Sequence, residues 1–175
     1  MALLQMRFLP DPILRTQAKK ISKIPSAFPK FTDDMVETMI HEHGVGLAAN
    51  QIGSLEKVCV IQLPDWEEAI VLINPEITDR EGEVELEEGC LSLPGYRGVT
   101  LRSEKVRVKA MGLDGKTMKI QAEGLFSQAL QHETDHLNGI VYIDQLVSKD
   151  EFYKIEFDDE GNAEYVQVNQ DSALS

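Results

Sequence analysis

The sequence has few cysteines, few basic residues and no long apolar run, and each shortage excludes a class of protein. Only two of the 175 residues are cysteines, so a disulfide framework is excluded and reduced thiols in the cytoplasm are expected. Lysine and arginine number 17 against 30 acidic residues, and the net charge of −13 argues against DNA or an anionic membrane as a partner. No run is long enough for a transmembrane helix, and the segment 1–10 is too short and too weakly charged for a signal peptide.

The spacing of the apolar residues predicts one α+β domain. Helices are predicted at about 26–43, where Gly44 and Gly46 would end the helix, and at about 125–137. Short apolar or alternating runs between them predict strands at 58–61, 70–73 and 83–87, and a hairpin that turns at Asp114-Gly115. Asn74-Pro75 is expected to end the second strand. We therefore expect antiparallel strands around a central helix, 125–137, in a single domain.

The acidic end of the chain allows two interpretations. Between 150 and 164 only Lys154 opposes seven carboxylates. Apolar residues nevertheless alternate at Tyr153, Ile155 and Phe157, which predicts a hairpin followed by a loose end from Asn169. A disordered acidic tail is the alternative.

The run His132-Glu133-Thr134-Asp135-His136 contains the strongest chemical signal. Residues four apart lie on one face of a helix, so both imidazoles can reach one metal ion. Glu133 would then lie close enough to act on a water molecule without binding the metal. The pattern is typical of a metallohydrolase, although two core histidines would also fit the spacing.

A catalytic metal site needs a third protein ligand and an open position for water. Many carboxylates could supply that ligand, and Cys90 is a further candidate, because it follows an alternating strand, adjoins Gly89 and would complete a soft-donor set. A buried, inert cysteine is the alternative there, and it is what we expect of Cys59. His41 and His43 are two residues apart on a predicted helix, so they would point to different sides and lie on the surface.

A glycine-rich run at 44–53 contains a candidate for stabilising negative charge. Its glycines permit close approach between backbone and substrate, and Gln51 offers a neutral amide donor to an oxyanion. The glycines could equally end a helix and form a turn. The Lys-Ser/Thr ending of a phosphate-binding loop is absent.

Three runs together resemble the motifs of the peptide deformylase family. They are GVGLAANQ at 44–51, EGCLS at 88–92 and QHETDHL at 131–137, and DPILR at 11–15 resembles the opening of that family. The resemblance implies that Cys90, His132 and His136 bind one divalent metal. The metal would be Fe(II), with zinc, nickel or cobalt as substitutes. Glu133 would be the general acid/base.

The same resemblance implies a substrate and a mode of binding. The substrate would be the N-terminal formylmethionine of newly made proteins, cleaved with release of formate. Gln51 and the backbone N–H of Leu91 would hold the oxyanion. The backbone at Val45, Gly46 and Gly89 would pair with the peptide as an added strand, and the methionine side chain would enter a pocket formed in part by Leu125 and Ala129.

The resemblance extends from about residue 7 to 147 and fails at the C-terminus. Residues 1–148 are therefore expected to be the catalytic, deformylase-like domain, and 149–175 an acidic accessory segment. Many members of the family end in a basic helix that docks on the ribosome, whereas this segment is acidic. Transient proximity to the ribosome is compatible with the sequence, but not through a basic tail.

Two other functions share parts of this pattern. A zinc endopeptidase has the same helical motif but takes its third ligand downstream, from a glutamate or histidine. A metal-stabilised binding module would more often use a closed site with four protein ligands. The upstream Cys90 and the presence of Glu133 and Gln51 favour deformylation over both.

Overall fold

Two antiparallel sheets and a helix that contacts both make up the fold. The computed structural model describes residues 2–174. The strands are β1 Gly46–Ala48, β2 Val58–Ile61, β3 Ile70–Glu81, β4 Val84–Cys90, β5 Leu93–Arg102, β6 Lys105–Met111, β7 Thr117–Glu123, β8 Phe152–Phe157 and β9 Ala163–Gln167. The five-stranded sheet has the order β1-β2-β3-β6-β7 and the four-stranded sheet the order β4-β5-β8-β9. The helices are α1 Phe28–His41, α2 Gly124–Leu137 and α3 Gln170–Leu174.

The predicted α+β class, with antiparallel strands around a central helix, is confirmed. Helix α2 buries Ala129, Leu130 and Leu137 in one core with the five-stranded sheet. It ends where predicted, because Gly139 adopts a φ of 76° and an added Cβ there would lie 2.7 Å from the Arg15 carbonyl oxygen. No helix within 2–174 is long and apolar enough to cross a membrane.

Helix α1 is confirmed, two residues shorter at each end than predicted. Its apolar stripe buries Phe28, Met35 and Met39 in a second core together with Leu47 of β1. The helix ends at His41, and the Gly44 N–H donates to the Met39 carbonyl oxygen. The chain can then turn directly into β1, an edge strand of its sheet.

The predicted end of the second strand at Asn74-Pro75 is wrong, because β3 continues to Glu81. The strand absorbs the proline with one extra residue, since Ile73 pairs with Met111 and Glu76 pairs with Lys109. Asn74 adopts a φ of 53° at this bulge. Its side chain bonds the backbone N–H and carbonyl of Ile21, which holds the bulge against the segment that precedes α1.

The predicted C-terminal hairpin is confirmed, and a disordered tail is wrong for this segment. β8 pairs with β5, and β9 pairs with β8. The loose end expected from Asn169 is also wrong, since α3 follows β9. Ala173 and Leu174 pack against the core that contains Tyr142 and Phe152. These apolar contacts explain why the acidic segment is held against the fold.

Candidate active site

The structure brings Cys90, His132 and His136 together at the end of β4 and on one face of α2. The Nε2 atom of His136 lies 3.2 Å from Cys90 Sγ and 3.2 Å from His132 Nε2. The three ligand atoms all lie within 4.8 Å of one another. A tetrahedral zinc-type site separates two nitrogens by about 3.3 Å and a sulfur from a nitrogen by about 3.5 Å. The donor set therefore has the size and chemistry of a metal site.

The electrostatics of the cluster favour a positive charge at its centre. His132 Nδ1 lies 2.8 Å from Glu88 Oε2, so its N–H faces the carboxylate and Nε2 faces the cluster. Burial opposes a charge on His132, but its hydrogen bonds to Cys90 and Glu88 raise its pKa well above the ordinary value. Burial lowers the pKa of His136, which favours the neutral form that binds metals. A bound divalent cation would supply the charge that the site attracts.

A buried ion-pair network supports this cluster, and it was not predicted from the sequence. Arg102 donates from Nε to Glu88 Oε1 at 2.9 Å and from Nη2 to Glu88 Oε2 at 2.6 Å. Its Nη1 atom donates to Asp135 Oδ2 at 2.6 Å. Burial alone would raise the pKa of Glu88, but the hydrogen bonds from His132 and Arg102 hold it well below the ordinary value. One signal was available: alternation places Glu88 on the same face of β4 as Cys90.

Glu133 lies beside the cluster in a buried position with unused hydrogen-bonding capacity. Its Oε1 atom is 3.9 Å from His132 Nε2, and its Oε2 atom has no partner among the described residues. Burial raises the pKa of Glu133 to about 7, which suits a group that accepts and donates protons near neutral pH. An added Cβ on Gly46 would lie 2.7 Å from Glu133 Oε1, so the glycine makes room for this carboxylate.

Gln51 is buried and its side-chain orientation is fixed. Its Oε1 atom accepts from the Ala48 N–H at 2.9 Å, which assigns Nε2 to the side of the cluster. Nε2 donates to Ser92 Oγ at 3.1 Å and lies 3.6 Å from Cys90 Sγ. A neutral amide donor therefore lies next to the candidate metal ligand.

A second buried amide anchors the end of α2. The Asn50 Nδ2 atom donates to the carbonyl oxygen of His136. The loop that carries Gln51 is thereby connected to the helix that carries both histidines. Cys59 is buried and His41 and His43 are exposed, as expected.

A cleft of about 400 Å³ opens onto this cluster. It is lined by all the residues that the sequence predicted for substrate binding: Val45, Gly46, Gly89, Leu125 and Ala129. Its two sides include β1 and β4, each an edge strand of its own sheet. Unpaired strand edges can accept an extended peptide. Leu91, the remaining predicted residue, lines the same cleft.

A Cys-His-His donor set, a buried glutamate beside it and a cleft between two strand edges define a metal-dependent hydrolase. Comparison with known proteins then identifies the family of hydrolases. The family model described as Polypeptide deformylase matches residues 3–152. The chain therefore belongs to the polypeptide deformylase family, whose members are hydrolases that act on a formyl amide.

Individual relatives agree with the family match along most of their length. The peptide deformylase of Dehalococcoides mccartyi (strain CBDB1) is 46% identical over 160 residues, which cover 91% of this chain and 96% of that protein. The crystal structure of the Legionella pneumophila enzyme is 44% identical with a TM-score of 0.80, covering 83% of this chain and 86% of that one. The structure of a Synechococcus elongatus peptide deformylase in complex with actinonin is 36% identical with a TM-score of 0.81, and the match covers 83% of this chain and 82% of that one. Of the three functions that the motifs allowed, these matches support deformylation.

Proposed function

We propose that this chain removes the formyl group from the N-terminal formylmethionine of newly made proteins and releases formate. The observation that carries the proposal is the position of Glu133. This buried carboxylate has one oxygen without a hydrogen-bond partner within residues 2–174, and it lies beside the Cys90, His132 and His136 ligand atoms, at a cleft bordered by two strand edges.

We assign the metal as Fe(II), held by Cys90, His132 and His136. One thiolate and two imidazoles suit Fe(II), and zinc, nickel or cobalt can take its place. When bound, the metal would supply Lewis acidity, which lowers the pKa of a water molecule and polarises the formyl oxygen. Glu88 orients His132 for this purpose, because its Oε2 atom accepts the 2.8 Å hydrogen bond from His132 Nδ1.

The protein groups around the ligands have separate roles in the hydrolysis. Glu133 accepts the proton of the attacking water and passes it to the leaving amine. Gln51 Nε2 and the backbone N–H of Leu91 donate to the oxygen that becomes negative in the tetrahedral state. One such donor is typically worth about 3 kcal/mol of barrier height. The products are formate and a peptide with a free amino terminus.

The two strand edges position the substrate. The backbone at Val45 and Gly46 on one side, and at Gly89 on the other, pairs with the peptide as an added strand. An added Cβ on Gly89 would lie 2.9 Å from Arg97 Nη1, so the glycine leaves room for the Arg97 side chain of β5. Leu125 and Ala129 line the part of the cleft that takes the methionine side chain.

We further propose that residues 1–148 perform catalysis and that 149–175 is an accessory segment. The acidic charge of that segment disfavours a contact with ribosomal RNA, so any proximity to the ribosome would not depend on it. The enzyme would act in the cytoplasm, where nascent chains are made and where Cys90 remains reduced.

Formate release from formyl-Met-Ala-Ser by the Fe(II)-loaded protein, prepared without oxygen, tests the proposal. Replacement of Glu133 by alanine should retain the metal and lower kcat by several orders of magnitude, because the proton acceptor is lost. The exposed Glu85 of β4 offers a matched control, and Glu85→Ala should retain full activity. No turnover by protein with verified metal would overturn the proposal, and loss of metal from Glu133→Ala would overturn the role of Glu133.

A further inference from the structure

The C-terminal hairpin reaches the active-site cleft, although it begins where the family match ends. The match covers residues 3–152, and β8 starts at Phe152. β8 extends the sheet of β4 and β5 by pairing with residues 96–98 of β5. As a result Ile155 of β8 lines the cleft. The wall of the cleft is therefore built in part by the C-terminal hairpin.

The hairpin face that includes Ile155 is apolar and incompletely covered. Alternation places Ile155 and Phe157 on one face of β8, and Tyr165 of β9 is the direct cross-strand partner of Ile155. Phe157 is 71% exposed and Tyr165 is 51% exposed, whereas Ile155 is partly buried. Large apolar side chains thus continue outward from the cleft on a single face. Contiguous exposed apolar residues of this kind mark sites of binding.

Polar contacts hold this face against the cleft wall. The Tyr165 hydroxyl donates to Glu87 Oε1 at 2.7 Å, and Arg97 Nε donates to the same oxygen at 3.0 Å. Glu87 and Arg97 both line the cleft. β9 is therefore linked to β4 by a side chain, although the two strands are not neighbours in the sheet. The linkage fixes the position of Ile155 relative to the strand edge that would bind the peptide.

We propose that the face formed by Ile155, Phe157 and Tyr165 binds an apolar side chain of the formylated peptide, downstream of its first residue. The proposal rests on the proposed deformylase function. An extended peptide advances about 3.3 Å per residue, so its next residues must leave the methionine pocket along the cleft wall. The face is continuous with that wall. The acidic surroundings of the hairpin, seven carboxylates against Lys154 over 150–164, disfavour an acidic side chain at the same place.

The test compares peptides that differ only downstream of formylmethionine. Two ratios of kcat/KM are measured with the Fe(II)-loaded full chain. The first compares formyl-Met-Ala-Leu with formyl-Met-Ala-Asp and varies the third residue. The second compares formyl-Met-Leu-Ala with formyl-Met-Asp-Ala and varies the second residue. In at least one pair the wild type should prefer leucine. The Ile155→Ala variant should reduce that preference about threefold to tenfold, because part of an apolar contact is removed.

Val166→Ala is the matched control for the loss of apolar volume from the hairpin. Val166 is the cross-strand partner of Lys154, so its side chain lies on the opposite face from Ile155. Its substitution should leave both ratios at the wild-type value. An equal fall in Val166→Ala would show that the ratios respond to any loss of apolar volume from the hairpin, and it would overturn the assignment of this face.

A second variant separates a binding role from loss of folding. Ile155→Glu places a carboxylate in the proposed site, so kcat/KM should rise for a downstream lysine relative to leucine, a change that unfolding cannot produce. Turnover with unchanged ratios in both Ile155 variants would overturn this inference alone. Absence of turnover by the metal-loaded wild type with every peptide would overturn the proposed function and this inference with it.

Discussion

The buried Arg102 offers the sharpest test of how the site is supported. Its side chain is 4% exposed, as is that of Glu88, and it also pairs with Asp135. Arg102→Gln would leave Glu88 as a buried charge without its bidentate partner. Breaking a buried pair in this way typically costs about 3–5 kcal/mol. With an unfolding entropy of about 2.1 cal/mol/K per residue over this chain, Tm should fall by about 8–14 °C.

The assay is thermal and urea unfolding of the metal-free protein, so that metal binding does not contribute to the measured free energy. Arg15→Gln is the control, because Arg15 Nη1 lies 2.7 Å from Asp144 Oδ2 in a pair that is 45% and 33% exposed. The N···O distances of the Arg15–Asp144 and Arg102–Glu88 pairs are nearly the same, whereas only the Arg102–Glu88 pair is buried. The control should therefore lose at most about 1 kcal/mol.

The double variant Arg102→Gln with Glu88→Gln should recover part of the loss, since it removes the uncompensated charge. Burial raises the pKa of Glu88, but its hydrogen bonds lower it overall, so its contribution to stability is present above the unfolded-state pKa. That contribution should be lost progressively as the pH falls below about 4.3. A loss under about 1 kcal/mol for Arg102→Gln, or no recovery in the double variant, would refute this account.

Two further predictions concern Glu133. Gly46→Ala would place a Cβ 2.7 Å from Glu133 Oε1, so the carboxylate must move and kcat should fall by about 100-fold with metal content unchanged. Steady-state kinetics and metal analysis check this, and an unchanged kcat would show that Glu133 does not act from this position. Burial raises the pKa of Glu133 to about 7, and a bound cation would lower that pKa. Because protonated Glu133 cannot accept a proton, kcat/KM should fall as the pH drops below an apparent pKa that is lower than 7. A pH profile that stays flat from about pH 4 to 7 would contradict its role as proton acceptor.

The parts of this protein that depend on local spacing were predictable. His132 and His136 share a face because they are four residues apart on a helix, and the confirmed bounds of α2 follow from apolar spacing and a terminal glycine. The strand at 58–61 was predicted with its observed ends, since a short apolar run between polar segments has few other structures available. The error at Asn74-Pro75 arose because a bulge can accommodate a proline, and a bulge depends on the partner strand.

What the sequence indicated by itself is the set of candidate residues for the site: the possible metal donors, the glutamate proposed as acid/base and the amide donor. Those residues lie in short motifs, and short-range geometry is sufficient to interpret them. Only the tertiary structure decided which distant residues support them. Arg102 reaches Glu88 through the register of β4 with β5, and Ile155 enters the cleft through the pairing of β8 with β5. Register is a property of the whole sheet, and a shift of one residue would turn each side chain to the opposite face.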